Sequence, residues 1–356
     1  MINKKKINEI REWLHKSQNP LFFFDNDVDG LASFLLLRKY IDRGRGVSIK
    51  SFPELDATYT RKLYELKPDV VFILDKPLVA KGFVETAKQL GMPVIWIDHH
   101  PPEQKDVIKE VYYYNPLQGK PKSSEPVSYW CYQITKKDMW VSMAGCLSDW
   151  FLPEFTKVFA KQYPDIFIED KDPARILFST EFGKIIRILS FGLKDTTSNV
   201  VKLLKILWKT ENPYDILLGG KKYEGIIRRY LEVNKKYGVL LEKAKNHAAT
   251  SKKRKLLYFQ YGGDLSISAE LANELLYLYP TKIIAVGYEK GSKVSLSLRG
   301  GIDIRALLAK ALEGTEGTGG GHKYACGATL SAEEIPKFKN NLVKLLKDEQ
   351  IKNENQ

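Results

Sequence analysis

Val94-Ile95-Trp96-Ile97-Asp98-His99-His100 reads as a buried strand that ends in a carboxylate and two imidazoles. Four consecutive large apolar residues, without polar alternation, suit a strand covered on both faces, as in a parallel sheet between layers of helices. Carrying Asp98, His99 and His100 to the tip of such a strand costs desolvation free energy unless these groups bind something. The chain holds only 5 histidines, and His99, His100 and His322 all lie in motifs rich in Asp or Gly. A hydrophobic strand with Asp-His-His at its mouth is therefore read as a metal site.

Outward from this strand, residues 21–24, 47–52 and 70–74 have the same apolar character. Between them, residues 31–41, 58–66 and 81–90 show helical spacing, with Gly or Pro near their ends. That alternation predicts an α/β fold with a parallel sheet and helices on both faces. Three of the strands end in aspartate, at Asp25, Asp75 and Asp98. Ligand sites in open parallel sheets lie beyond the carboxyl ends of the strands, so these acids are expected to converge there.

Residues 150–250 read as mostly helical. Within them, residues 223–248 place Ile226, Ile227, Tyr230, Val233, Tyr237, Leu240, Leu241 and Ala244 on one face and Arg228, Arg229, Lys235, Lys236 and Lys243 on the other, an amphipathic connecting helix. The run Ser251-Lys252-Lys253-Arg254-Lys255 breaks the pattern and reads as a domain boundary. A second α/β pattern follows, with strands at 256–261, 283–288 and 294–298, a helix over 269–279 and a glycine-dense stretch at 314–327. The final Lys-rich helix and polar tail, 334–356, are expected to pack weakly. The expected division is a catalytic domain over 1–195, a basic helical connector over 196–250 and a substrate-binding domain over 251–350.

A chain of 356 residues is long enough for two cores, and its 44% hydrophobic content is ordinary for a soluble globular protein. No apolar run reaches the roughly 18–20 residues of a membrane span, and no apolar signal segment follows the basic start. Cysteines 131, 146 and 326 are isolated, which argues against disulfides or a Cys-rich zinc site. These features point to the cytoplasm and away from membranes. The net charge of +13 is concentrated, with 15 Lys/Arg against 5 Asp/Glu in residues 200–255. A solvated helix face accounts for any single basic cluster, but the concentration favours a polyanion such as nucleic acid.

Asp25-Asn26-Asp27-Val28-Asp29-Gly30 follows the first strand and leads into a helix. Alternate aspartates in a turn can converge on one cation, and Gly30 allows close backbone approach. Helix capping explains one of these aspartates but not three. Asp75 is read as a bridging carboxylate, since paired divalent cations sit about 3.5–4 Å apart and need a shared anion. Asp149, after the small-residue turn Ala144-Gly145-Cys146-Leu147-Ser148, has the same buried look. Neither Ser148 nor Cys146 has an adjoining base in sequence, which argues against a covalent nucleophile.

In order and spacing, Asp25-x-Asp27-x-Asp29-Gly30, Asp75, Asp98-His99-His100, Asp149 and Gly319-Gly320-Gly321-His322 resemble the motifs of the DHH/DHHA1 phosphoesterase superfamily. Within it the chain most resembles the archaeal RecJ-like single-strand exonucleases, over most of its length apart from the helical middle. The resemblance implies a parallel-sheet DHH domain joined by a helical connector to a smaller α/β DHHA1 domain, with the active-site cleft between them. It implies that Asp27 and Asp75 hold a first metal, with Asp25 as a nearby further ligand, and that Asp29, Asp75, His99 and Asp149 hold a second. Asp98 would orient the imidazoles and His100 would face the scissile phosphate. Two divalent cations are implied; mixed Asp/His ligation favours manganese over magnesium. Some branches carry a histidine where this chain has Phe23, so the first metal would be held more weakly or by Asp25.

The expected chemistry is in-line attack on a phosphodiester by water shared between two cations, with the metals and His100 stabilising the developing charge. Gly319, Gly320 and Gly321 would offer backbone N–H groups to a phosphate and His322 a further donor, although glycine-rich segments also make simple turns. Arg299 matches the family's phosphate-binding arginine, with a guanidinium suited to a bidentate grip. Trp130, Trp140, Trp150 and Tyr112-Tyr113-Tyr114 could stack bases, but core packing suits most of them better. The expected activity is a metal-dependent exonuclease on single-stranded DNA or RNA, releasing mononucleotides, with 3′→5′ polarity and a helicase or replisome partner implied by the resemblance alone. The alternatives are a hydrolase of very short oligonucleotides or cyclic dinucleotides, and an inactive replication or repair scaffold. A pyrophosphatase would not need so basic a chain.

Overall fold

Phe22 and Phe24 lie against Phe34 on one side of β1 (Leu21–Asp25), with ring centroids 5.7 and 5.0 Å apart, while Phe23 meets Phe83 on the other side at 5.2 Å. Side chains alternate across a strand, so an unbroken aromatic run of this kind requires cover on both faces. The computed structural model describes residues 2–51, 53–250 and 255–354. Phe52, at the end of one expected strand, and residues 251–254 of the expected boundary run lie outside them.

The amino-terminal part runs α1 (Lys4–Lys16), β1, α2 (Val28–Ile41), β2 (Arg45–Ile49), β3 (Glu54–Leu55), α3 (Thr60–Leu66), β4 (Val71–Leu74), β5 (Leu78–Val79), α4 (Lys81–Gln89), β6 (Val94–Ile97), α5 (Lys105–Ile108) and β7 (Tyr112–Tyr114). Strands β2-β1-β4-β6-β7 form one sheet in that order, and every pairing in it is parallel. The expected parallel α/β sheet is thus present. β7 was not anticipated, because three residues at a sheet edge carry no readable period. Leu21, Ile73 and Trp96 join Leu63, Phe83 and Val84 of α3 and α4 in one core cluster.

The chain continues through α6 (Val127–Thr135), α7 (Met139–Ser148), α8 (Thr156–Gln162), α9 (Pro173–Ser179), α10 (Glu181–Leu193), α11 (Thr197–Trp208), α12 (Pro213–Leu218) and α13 (Glu224–Thr250). Helix α2 packs on β1 and also against α6 and α7. Gly145 lets α7 come this close: a Cβ there would lie 2.3 Å from Ser128 Oγ and 2.9 Å from the Ala32 side chain. Of the expected apolar face, α13 buries Ile226, Tyr230, Val233, Tyr237 and Ala244, while Ile227, Leu240 and Leu241 stay half-buried at its margins.

Contacts divide the chain between Tyr230 and Leu231, inside α13. The second unit adds β8 (Leu256–Gly262), α14 (Ser268–Leu278), β9 (Ile283–Lys290), β10 (Lys293–Arg299), α15 (Ile304–Leu312), β11 (Thr318–Gly321), β12 (Ala325–Ser331) and α16 (Ile335–Glu354). Its sheet has the order β11-β12-β10-β9-β8, antiparallel except for the parallel β8–β9 pair. The expectation of a weakly packed final helix is corrected here. Phe338 and Leu342 of α16 are fully buried, 0% exposed, in one core with Ile304 and Leu308 of α15 and Leu298 of β10. The lysines that suggested weak packing belong to the outer face, while Ile335, Phe338, Leu342 and Leu346 recur at helical intervals on the inner one. Among the described residues no helix is long and apolar enough to cross a membrane.

Candidate metal centre

The carboxyl ends of β1, β4 and β6 bring the predicted acids and imidazoles together. Asp25 closes β1; its Oδ1 accepts from the Asn26 N–H at 3.0 Å and from the Lys76 ammonium at 2.9 Å. Asp27 is the N-cap of α2 and accepts from the Gly30 N–H at 2.9 Å. Gly30 is required where it stands, because a Cβ would lie 2.5 Å from the Asp25 carbonyl oxygen. The helix therefore starts pressed against the strand end, and Asp29 in its first turn is completely buried. Both Asp29 oxygens accept backbone N–H groups from the start of α6, Val127 at 2.8 Å and Ser128 at 2.9 Å.

Asp75 follows β4 in a left-handed conformation, φ +58°, with its N–H on the Ile97 carbonyl at 2.9 Å. Its side chain is buried, and Oδ1 accepts no hydrogen bond from the described residues. That oxygen lies 3.3 Å from His99 Nε2, which is 3.4 Å from Asp149 Oδ2. The other ring nitrogen, His99 Nδ1, meets the Ser124 carbonyl at 3.3 Å. A carbonyl can only accept, so Nδ1 carries a hydrogen, and whenever the ring is neutral its Nε2 lone pair points at two carboxylates. Three electron-rich atoms facing one another call for a positive charge among them.

The electrostatics agree. Burial raises the Asp75 carboxyl well above the usual range, and Asp29, Asp27 and Asp149 add to the rise. Asp27 keeps an exposed edge, yet desolvation together with Asp25, Asp149 and Asp29 raises it as well. Burial lowers His99, but the charges of Asp149, Asp29 and Asp98 outweigh it, so the net direction is upward. His100 goes the other way, pushed well down by burial and by His99.

Asp98 anchors His100, accepting from its Nδ1–H at 2.8 Å and from its backbone N–H at 3.1 Å. The two histidines therefore have different supports, Asp98 for His100 and the Ser124 carbonyl for His99. Four participants were not foreseen: Lys76, Ser124, Tyr113 and Asn115. Asn115 donates to the His100 carbonyl at 2.8 Å and also bonds the Tyr113 hydroxyl, which reaches Asp98 at 3.4 Å. Lys76, set between Asp75 and Pro77 just beyond an apolar strand, carried a readable signal. Cys146 is buried, with its thiol pushed well up by burial and by Asp29, and the Ser148 hydroxyl donates to the Gly145 carbonyl. Neither is set up as a nucleophile.

The aromatic residues divide between core and surface. Trp130 and Trp140 are buried, Tyr114 is buried with its hydroxyl on Glu9, and the half-exposed Tyr112 packs on Trp13.

In the second unit, Arg299 ends β10 beside Ala325, and Gly321 pairs with Cys326, so both lie at the same end of the sheet. The Arg299 guanidinium donates to Asn273 Oδ1 at 2.6 Å and to the Leu298 carbonyl at 2.9 Å. Gly319, Gly320 and Gly321 belong to the edge strand β11 rather than to an open loop. A Cβ on Gly319 would lie 2.8 Å from the Gly327 carbonyl oxygen and one on Gly321, at φ +138°, 2.6 Å from that of Ala325, whereas Gly320 faces open space. His322 continues the strand with its N–H on the Ala325 carbonyl at 2.9 Å.

A family model for the DHH family N-terminal domain matches residues 21–147, and one for the DHHA1 domain matches residues 253–348. No curated protein matches the sequence. Among solved structures, RecJ of Thermus thermophilus in complex with Mn2+ is similar at a TM-score of 0.66 and 13% identity, over 95% of this chain and 53% of that one. An exonuclease RecJ bound to manganese is similar at 0.61 and 14%, over 97% and 94% of the two chains. The DHH domain of a member of the s1p family of ribosomal proteins is similar at 0.68 and 14%, over 96% and 89%. The chain thus spans about half the length of the Thermus RecJ and has a RecJ-like fold. With both family models matching in this order on that fold, the chain belongs to the DHH/DHHA1 superfamily.

Proposed function

We propose that the chain is a metal-dependent exonuclease that shortens single-stranded DNA or RNA to mononucleotides, working 3′→5′. The observation that carries the metal dependence is the buried Asp75 Oδ1, which accepts no hydrogen bond among the described residues and faces His99 Nε2 next to Asp149. Carboxylate oxygens and an imidazole nitrogen suit manganese, with magnesium as the alternative. Asp29, Asp75, His99 and Asp149 would hold one cation, and Asp27 with Asp75 the other. When bound, a divalent pair supplies Lewis-acid polarisation of a phosphoryl group and activation of water.

The chain's own groups do the rest. The Ser124 carbonyl fixes the His99 tautomer, and Asp98 fixes the His100 ring through Nδ1, so that Nε2 is the atom to meet substrate. His100 would face the scissile phosphate, where a donor on Nε2 would stabilise the developing charge. Arg299, with those backbone N–H groups of Gly319, Gly320 and Gly321 that the pairing with β12 leaves facing outward and with His322, would grip a second phosphate. The basic stretch 200–255 supports a strand over a small phosphate ester as substrate. A relative described as an exonuclease bound to manganese supports the same reading. The 3′→5′ polarity and a helicase or replisome partner rest on the family resemblance.

Separately 5′- and 3′-end-labelled DNA and RNA strands, incubated with Mn2+ and sampled over time, test this directly. Labelled mononucleotide should appear at once from the 3′ label, and the 5′ label should descend as a ladder. Faster cleavage of a dinucleotide than of a long strand would instead establish the oligonucleotide or cyclic-dinucleotide hydrolase. No cleavage of any of these would leave the scaffold reading.

A further inference from the structure

Lys76 has no exposed surface, and its ammonium donates to Asp25 Oδ1 and to the Ser51 carbonyl, each at 2.9 Å. Its backbone is pinned as well, since the Lys76 carbonyl accepts the Trp96 indole N–H at 2.9 Å. Lysine is almost never buried to this degree unless it is paired, because its ammonium is strongly hydrated. The left-handed turn at Asp75 accounts for the placement: Asp75 faces His99 while the next residue reaches Asp25. Phe23, where some family branches have a histidine, is fully buried and packs on Phe83. One expected donor of the first metal position is therefore a hydrocarbon ring, and a neighbouring carboxylate already has a cation.

We propose that Lys76 is a built-in cation of the metal centre, a positioning residue that ties Asp25 out of the ligand set and supplies one of the positive charges the carboxylates require. Resting on the metal centre proposed above, this means that one external cation binds tightly, at Asp29, Asp75, His99 and Asp149. A second binds more weakly, through Asp27 and the shared Asp75. Removing the ammonium charge releases Asp25 and removes a repulsion of close range, so the second cation should bind better. A gain of binding is something that mere structural damage does not produce.

The test is a Mn2+ titration of the full-length chain, with free Mn2+ followed by electron paramagnetic resonance. Wild type should show one tight site and a second at least about tenfold weaker. Lys76→Met, similar in length but uncharged, should tighten the second site by about tenfold or more. Asp25→Asn should weaken binding far less than Asp75→Asn, which removes the tight site. Two equal sites in wild type, or a second site unchanged or weaker in Lys76→Met, overturns the role of Lys76 while leaving the metal centre standing. If Lys76→Met does not fold, a loss in Asp25→Asn as large as that in Asp75→Asn overturns it. Absence of Mn2+ binding by wild type, or binding indifferent to Asp75→Asn, defeats the metal centre itself and Lys76's role with it.

Discussion

The strand tips of the first unit and the glycine-bearing edge of the second solve opposite problems. At the tips, Asp29, Asp75 and His99 are almost wholly buried and face one another with an excess of negative charge. At the edge, Arg299 and the Gly319–321 backbone remain partly open, and Arg299 is held by Asn273 and main-chain carbonyls. The first arrangement is unfavourable without a cation from outside; the second is complete as it stands and presents donors. Buried carboxylates facing one another are costly without a counter-charge, so the cations proposed above would be bound tightly and specifically at the strand tips. Half-exposed donors suit a ligand that comes and goes.

Substitutions in the two regions should therefore separate chemistry from grip. The largest effect is expected from Asp75→Asn or His99→Ala, which should lower kcat on a labelled strand by about a thousandfold or more and weaken Mn2+ binding in parallel. Retained turnover in either would break the contrast at its centre. Next in size, Arg299→Ala should raise KM for single strands by about tenfold to a hundredfold, the usual worth of a charged hydrogen bond. Mn2+ affinity, measured separately, should not move; if it does, the two regions are not independent. The smallest effect discriminates within the edge strand. Gly319→Ala should lower unfolding stability by about 1–3 kcal/mol because its Cβ meets the Gly327 carbonyl oxygen, and Gly320→Ala by no more than about 0.5 kcal/mol. Urea unfolding checks both, and equal costs would mean that the strand pairing has been misread.

Much of this was legible beforehand, for local reasons. Apolar runs ending in aspartate marked β1, β4 and β6 and predicted that Asp25, Asp75 and Asp98 would meet. The three-and-four spacing of Ile226, Tyr230, Val233 and Tyr237 marked the buried side of α13. The same kind of spacing in Ile335, Phe338, Leu342 and Leu346 was present but outweighed by the lysines between them, which is how α16 came to be expected as weakly packed. Tyr112-Tyr113-Tyr114, better suited to packing than to stacking, form β7, and Tyr113 supports Asp98, a contact no local pattern shows.

The sequence by itself determined the α/β order, the acidic strand ends and the succession of motifs, because periodicity and strand-end chemistry are written in neighbouring residues. Only the tertiary structure decided which atoms support which. Ser124 lies 25 residues beyond His99, Lys76 lies 51 beyond Asp25, and Val127 lies 98 beyond Asp29. Hydrogen bonds across such separations depend on sheet register and helix packing, which no local pattern contains. Asp98-His99-His100 announced a metal site from the sequence; the fold gave each histidine its own support and Asp25 a lysine.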